Sequence, residues 1–225
     1  MIRAVIFDLD GTIADTLRDL SEAVNHALLC EGLSPYPVDD YRRFVGNGVD
    51  NLVKTVLAEH DTGERFKRVK ACFQRYYAAH SRDYTTAYDG VPALLSALSD
   101  RGILTAVISN KPDVFVPGIL HKLFPEHRFA LCWGQQDRYP RKPAPDALLG
   151  AIDALSCTPD ETLYVGDSDV DVRFAHAAGV RVCGVEWGFR GREELIAAKA
   201  DAIIRRPHEL LELIGEYDEQ AKLQP

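Results

Sequence analysis

Asp8 and Asp10 stand two residues apart at the end of the apolar run Arg3-Ala4-Val5-Ile6-Phe7. Two carboxylates that close repel, so both stay ionised only beside a cation, or else they take different protonation states. If the chain stays extended past Phe7, both side chains face the same way. A third carboxylate, Asp167, ends another apolar run, with Ser168 and Asp171 just beyond it. Ser109, Asn110 and Lys111 close a further run, and Lys142 sits in Arg141-Lys142-Pro143. Oxygen ligands of this kind suit magnesium, which keeps near-octahedral coordination at about 2.0–2.1 Å and often shares its shell with a phosphate. Any one of these acids alone could equally be a helix N-cap or a turn residue. Their common place at the ends of apolar runs favours the chemical reading.

Such residues need a scaffold that gathers strand ends. Residues 103–108, 163–165 and 181–185 read as strands, with 202–204 a weaker one, and helical patterns fall between them at about 91–100, 145–155, 170–178 and 192–199. Strands alternating with helices predict βαβ units and a parallel sheet, whose ligands sit at the carboxyl ends of its strands. The expected class is α/β with a Rossmann-like parallel-sheet core. A purely helical stretch interrupts the alternation just after the first strand, opening with Leu17, Leu20, Val24, Ala27 and Leu28 at helical spacing. It predicts an inserted helical cap domain over 15–85 on a core of 1–14 and 86–225. Hinges near Ala14 and near Tyr88-Asp89-Gly90 would let the cap close and exclude bulk water.

The 225 residues are 46% apolar and 27% charged, with a formal charge of −8. An acidic chain argues against nucleic acid as a partner, although a local cationic pocket stays compatible with it. No apolar run approaches the roughly 18 residues of a membrane span, and the N-terminus lacks a secretory apolar region. A cytoplasmic, membrane-free protein is expected, as a monomer or homodimer. The cysteines, Cys30, Cys72, Cys132, Cys157 and Cys183, are odd in number and scattered. They read as reduced, mostly buried thiols rather than a metal or redox site. The seven histidines show no ligand spacing.

Asp8-Leu9-Asp10-Gly11-Thr12, Ser109-Asn110-Lys111, Lys142-Pro143 and Gly166-Asp167-Ser168-Asp169-Val170-Asp171 resemble, in order, the four motifs of the haloacid dehalogenase-like hydrolase superfamily. The resemblance covers essentially the whole chain, helical cap included. It implies that Asp8 is a nucleophile forming an aspartyl phosphate and that Asp10 is the acid, then the base, for the leaving group and water. It implies Mg2+ held by the carboxylates of Asp8 and Asp167 and the backbone carbonyl of Asp10, with Asp171 and Ser168 behind them. Ser109 and Lys142 would bind phosphoryl oxygens, and Asn110 and Lys111 would serve substrate binding. An acid two residues after the nucleophile points to phosphate rather than carbon–halogen chemistry.

Val45-Gly46-Asn47-Gly48-Val49-Asp50 resembles the cap loop of phosphoglycolate phosphatases. Gly46, Asn47 and Gly48 could form a loop whose backbone N–H groups meet an anion, or an ordinary turn. The resemblance implies a small phosphorylated metabolite, 2-phosphoglycolate first. Pyrophosphate, a nucleotide or a sugar phosphate on the same mechanism is the alternative, as is a phosphate-sensing or scaffold protein without turnover. Lys54, Arg42, Arg43 and Arg190 are the cations that could meet a substrate carboxylate.

Overall fold

The computed structural model describes residues 1–223. Its elements run β1 (Ala4–Phe7), β2 (Ala14–Asp15), α1 (Leu17–Cys30), α2 (Tyr41–Phe44), α3 (Gly48–Leu57), α4 (Gly63–His80), β3 (Thr86–Ala87), α5 (Val91–Asp100) and β4 (Leu104–Pro112). The chain continues through α6 (Val116–Leu123), β5 (Leu131–Gln135), α7 (Asp146–Ala154), β6 (Thr162–Gly166), α8 (Asp169–Ala177), β7 (Arg181–Val185), α9 (Gly191–Ala197), β8 (Ala202–Ile204) and α10 (Glu209–Leu223).

A six-stranded sheet in the order β5-β4-β1-β6-β7-β8 forms the base, and each of its strand pairs is parallel. Side chains alternate across β1 as the pleat requires. Val5 and Phe7 join one apolar layer with α5, α6 and α10, while Ala4 and Ile6 join the other with α7, α8 and α9. A strand covered on both faces has no polar side, which is why these runs carry almost no polar residue. The α/β, Rossmann-like expectation is met.

Helices α1 to α4 pack around an apolar cluster of their own, centred on Tyr41, Phe73 and Tyr77. The two chain segments joining them to the sheet, β2 and β3, pair antiparallel. Among the described residues, no helix is long and apolar enough to cross a membrane.

Five elements were not expected from the sequence: the two short strands β2 and β3, and β5, α6 and α10. Strand β4 also runs on to Pro112, past the expected end, and its register with β5 shifts between Ile108 and Pro112. Ser109, Asn110 and Lys111 lie on that irregularity. Such bulges re-aim side chains at the rim of a sheet.

Candidate active site

Asp8 leaves β1 at the sheet's carboxyl edge and is buried there, its N–H donating to the Val165 carbonyl at 2.8 Å. The β6–α8 turn delivers Asp167, Ser168 and Asp171 to the same place. One ligand oxygen each from Asp8, Asp167 and Asp171 lies within 4.8 Å of the others. Lys142, from the loop before α7, enters between them. Its Nζ donates to Asp8 Oδ1 and to Asp171 Oδ1, both at 2.8 Å, and to the Tyr164 hydroxyl at 3.0 Å. The other oxygen of Asp171 accepts from Ser168 Oγ at 2.6 Å and from the Ser168 N–H, which closes the first turn of α8.

Asp171 is therefore spent on Lys142, Tyr164 and Ser168. Asp167 uses Oδ2 to accept the Phe189 N–H at 2.7 Å. Gly11 and Gly188 flank it so tightly that a Cβ at either would strike the Asp167 side chain. Among the described residues, Asp8 Oδ2 and Asp167 Oδ1 have no hydrogen-bonding partner.

Three buried carboxylates against one buried ammonium leave an excess of negative charge. Burial raises Asp8 to about 6, with Lys142 opposing the rise and Asp171 and Asp10 adding to it. Asp167 is raised well above the usual carboxylate range, by burial first and then by Asp171 and Asp8. Burial works against the charge of Lys142, yet Asp171 and Asp8 hold its ammonium well above the ordinary lysine value. A hard divalent cation at these free oxygens would offset the excess, and an all-oxygen donor set fits Mg2+.

Asp10 faces elsewhere. Its Oδ1 accepts from Thr16 Oγ1 at 2.6 Å, and both its oxygens accept from Lys111 Nζ, at 2.9 and 3.2 Å. Asp8 and Asp10 are thus split between two ammonium groups and do not share one face of an extended strand. The strand ends at Phe7, and Gly11 turns the chain with φ of 88°.

Asn110 braces the loops. It donates to the carbonyls of Gly46 at 3.0 Å and Lys142 at 3.2 Å, and accepts the Lys142 N–H at 2.9 Å. A cavity opens beside Asp8 and Asp10, lined by Ser109, Asn110, Lys111, Gly46 and Gly48 among others. Gly46 and Gly48 both have positive φ, 118° and 80°, as the sequence suggested. Asn47 between them is exposed and does not line the cavity.

None of the other cations singled out in the sequence lines it either. Arg190 donates to the carbonyls of Arg43 at 2.9 Å and Val45 at 2.8 Å, clasping the helical part to the sheet. Arg42 turns to Asp39, and Lys54 and Arg43 are exposed. The far wall is instead apolar, made by Leu20, Leu52, Phe73 and Phe115 with Tyr77. Sequence reasoning placed none of these at the site, nor Tyr164, and read Leu20 only as part of a helix's apolar face. Val69, Phe73 and Tyr77 recur every four residues, the mark of any buried helix face.

A family model described as Haloacid dehalogenase-like hydrolase matches residues 5–185. A phosphoglycolate phosphatase of Pseudomonas putida is 36% identical over 207 residues, 90% of this chain and 76% of that one. Another, of Pectobacterium atrosepticum, is 32% identical over 217 residues, covering 95% and 93%. The solved structure of a predicted phosphoglycolate phosphatase from Haemophilus somnus superposes with a TM-score of 0.88 at 29% identity, covering 95% of this chain and 98% of that one.

Proposed function

We propose that this chain, which belongs to the haloacid dehalogenase-like hydrolases and is a phosphatase, is a magnesium-dependent phosphomonoester hydrolase working in the cytoplasm through an aspartyl phosphate on Asp8, with 2-phosphoglycolate as its substrate. The observation that carries the reading is Lys142, a buried ammonium 2.8 Å from Asp8 at the rim of a parallel sheet. A carboxylate held against a fixed cation is oriented for attack, and the same cation can bind the oxygens of the group attacked.

In the first step an Asp8 oxygen attacks phosphorus and the bond from phosphorus to the leaving oxygen breaks. Asp10 gives that oxygen its proton. In the second step water attacks the phosphorus of the aspartyl phosphate, Asp10 takes a proton from it, and Asp8 is restored as inorganic phosphate leaves. Ser109 Oγ and Lys142 Nζ bind the phosphoryl oxygens in both steps. The carboxylates of Asp8 and Asp167 and the backbone carbonyl of Asp10 would hold Mg2+. When bound, the ion supplies positive charge to the phosphoryl oxygens as negative charge builds on them. Residues 15–85 act as a cap, with the β2–β3 ribbon as its hinge.

Size supports a small substrate. The cavity measures about 40 Å³, while a single water needs roughly 10–15 Å³ by this kind of measure. So narrow a space beneath the helices favours a small ester over a nucleotide. The names of the relatives favour phosphoglycolate among small esters.

Phosphate release from 2-phosphoglycolate, pyrophosphate, sugar phosphates and nucleoside monophosphates, with Mg2+ and with chelator, tests the reading. The highest kcat/KM is expected for phosphoglycolate, with no activity in chelator or in Asp8→Asn. A different preference overturns the substrate, and release by Asp8→Asn at the wild-type rate overturns the mechanism.

A further inference from the structure

Away from the cavity, α1 and α4 bring three soft donors together. His26 and Cys30 are one turn apart on α1, with Nε2 3.8 Å from Sγ. Cys72 on α4 places its Sγ 3.5 Å from that of Cys30. All three donor atoms lie within 4.8 Å of one another, His26 and Cys30 exposed and Cys72 partly so. The imidazole is held by stacking on Tyr76, ring centres 4.3 Å apart at 26°. The sequence reading of scattered, mostly buried thiols does not survive here: of the five cysteines only Cys183 is buried. Residues 42 positions apart become neighbours through helix packing, which spacing along the chain does not reveal.

We propose that His26, Cys30 and Cys72 form a Zn2+ site whose fourth position is open to solvent. Tetrahedral zinc takes sulfur at about 2.3 Å and imidazole nitrogen at about 2.0–2.1 Å, which sets two sulfurs about 3.8 Å apart and sulfur from nitrogen about 3.5 Å. The observed separations of 3.5 and 3.8 Å need only small side-chain adjustments to match. Two thiols and an imidazole select a softer ion than the carboxylates around Asp8. On binding, both thiols lose their protons to solvent and the sulfurs become thiolate ligands. Burial and the neighbouring Cys30 thiol hold the Cys72 thiol above its ordinary value, with Arg75 opposing them, and the metal itself draws off the proton. The ion would pin α1 to α4, whose Leu20 and Phe73 wall the cavity. A Cys30–Cys72 disulfide would use the same sulfurs and leave His26 without a role, so the third donor favours metal.

The test uses the full chain, reduced with a phosphine, stripped of metal and held in excess Mg2+. Competition against a chromophoric chelator should give one tightly bound zinc per chain. Co2+ in its place should show a thiolate-to-metal charge-transfer band, which carboxylate ligands cannot produce. Cys30→Ser, Cys72→Ser and His26→Asn should each weaken zinc binding by about 100-fold or more. Their circular dichroism and phosphatase activity should stay as in the wild type. The wild-type cobalt spectrum decides the matter even if a variant fails to fold. Absence of the band, a band unchanged in Cys72→Ser, or a chain that binds no zinc when reduced and closes a Cys30–Cys72 disulfide overturns the proposal.

Discussion

Tyr77, like Thr12, carries a buried hydroxyl that the fold leaves unmatched among the described residues. Its ring stacks on Phe73 and meets the edge of Phe115, while the hydroxyl is buried without a hydrogen-bonding partner among the described residues. Burial above all pushes it up to about 12, so it stays a donor at neutral pH. Leaving such a group unpaired costs about 1–3 kcal/mol, and an anionic oxygen at the far end of a substrate would relieve that cost. Lys111, its ammonium 4.9 Å from the ring centre, adds positive charge on the same side. Tyr77→Phe should raise KM for phosphoglycolate about tenfold with kcat little changed and the melting temperature equal or higher. An unchanged KM would reduce Tyr77 to packing. Asp8, Asp10 and Asp167 were legible in the sequence because acids ending apolar runs are conspicuous, and Lys142, which ends no such run, was legible only through the order and spacing of the motifs around it. Tyr77 was not, because a tyrosine at helical spacing beside phenylalanine reads first as core.

The same contrast holds for elements. The five strands read from the sequence are apolar on both faces or nearly so, and a buried parallel strand announces itself in that way. Strand β5, Leu-Cys-Trp-Gly-Gln, is a half-buried edge with a glycine inside it, and neither alternation nor an apolar run marks it. Helix α10 docks through Leu210 and Ile214, with Leu211, Leu213 and Tyr217 packed beside them, an apolar stripe at helical spacing that the sequence reading passed over. Yet β5 matters to the site. Gly134 N–H donates to Asp113 Oδ1 at 2.8 Å, and a Cβ at Gly134 would meet the backbone of Asp113 and, at 2.6 Å, the carbonyl of Lys111. Backbone cannot step aside as a side chain can. Gly134→Ala should cost about 1–3 kcal/mol in urea unfolding and lower kcat more than a surface glycine substitution such as Gly102→Ala. Equal kcat in the two variants would detach β5 from the placing of Lys111.

Across the molecule, the helical part and the sheet meet through few polar contacts. Arg190, in the loop after β7, holds the carbonyls of Arg43 and Val45, and Asn110 holds that of Gly46. Hydrogen bonds to a charged group are worth about 1.5–3 kcal/mol each. Arg190→Ala should therefore speed amide hydrogen exchange in residues 43–50 and lower kcat/KM, with exchange in β1 and β6 unaffected. Exchange unchanged in the loop would mean that Arg190 does not hold the parts closed. The order of strands in the sheet has a separate consequence, for synthesis. Strand β1 lies between β4 and β6, so this strand, made before the other five of its sheet, pairs only with segments that follow the whole helical insertion. At about 5–20 residues per second, the apolar segment that ends at Asp8, the proposed nucleophile, waits several seconds for its first neighbour and longer for its second. The helical insertion, whose apolar cluster draws almost wholly on its own residues, can meanwhile collapse first. In the growing chain the proposed cap is ready before the proposed site beneath it exists.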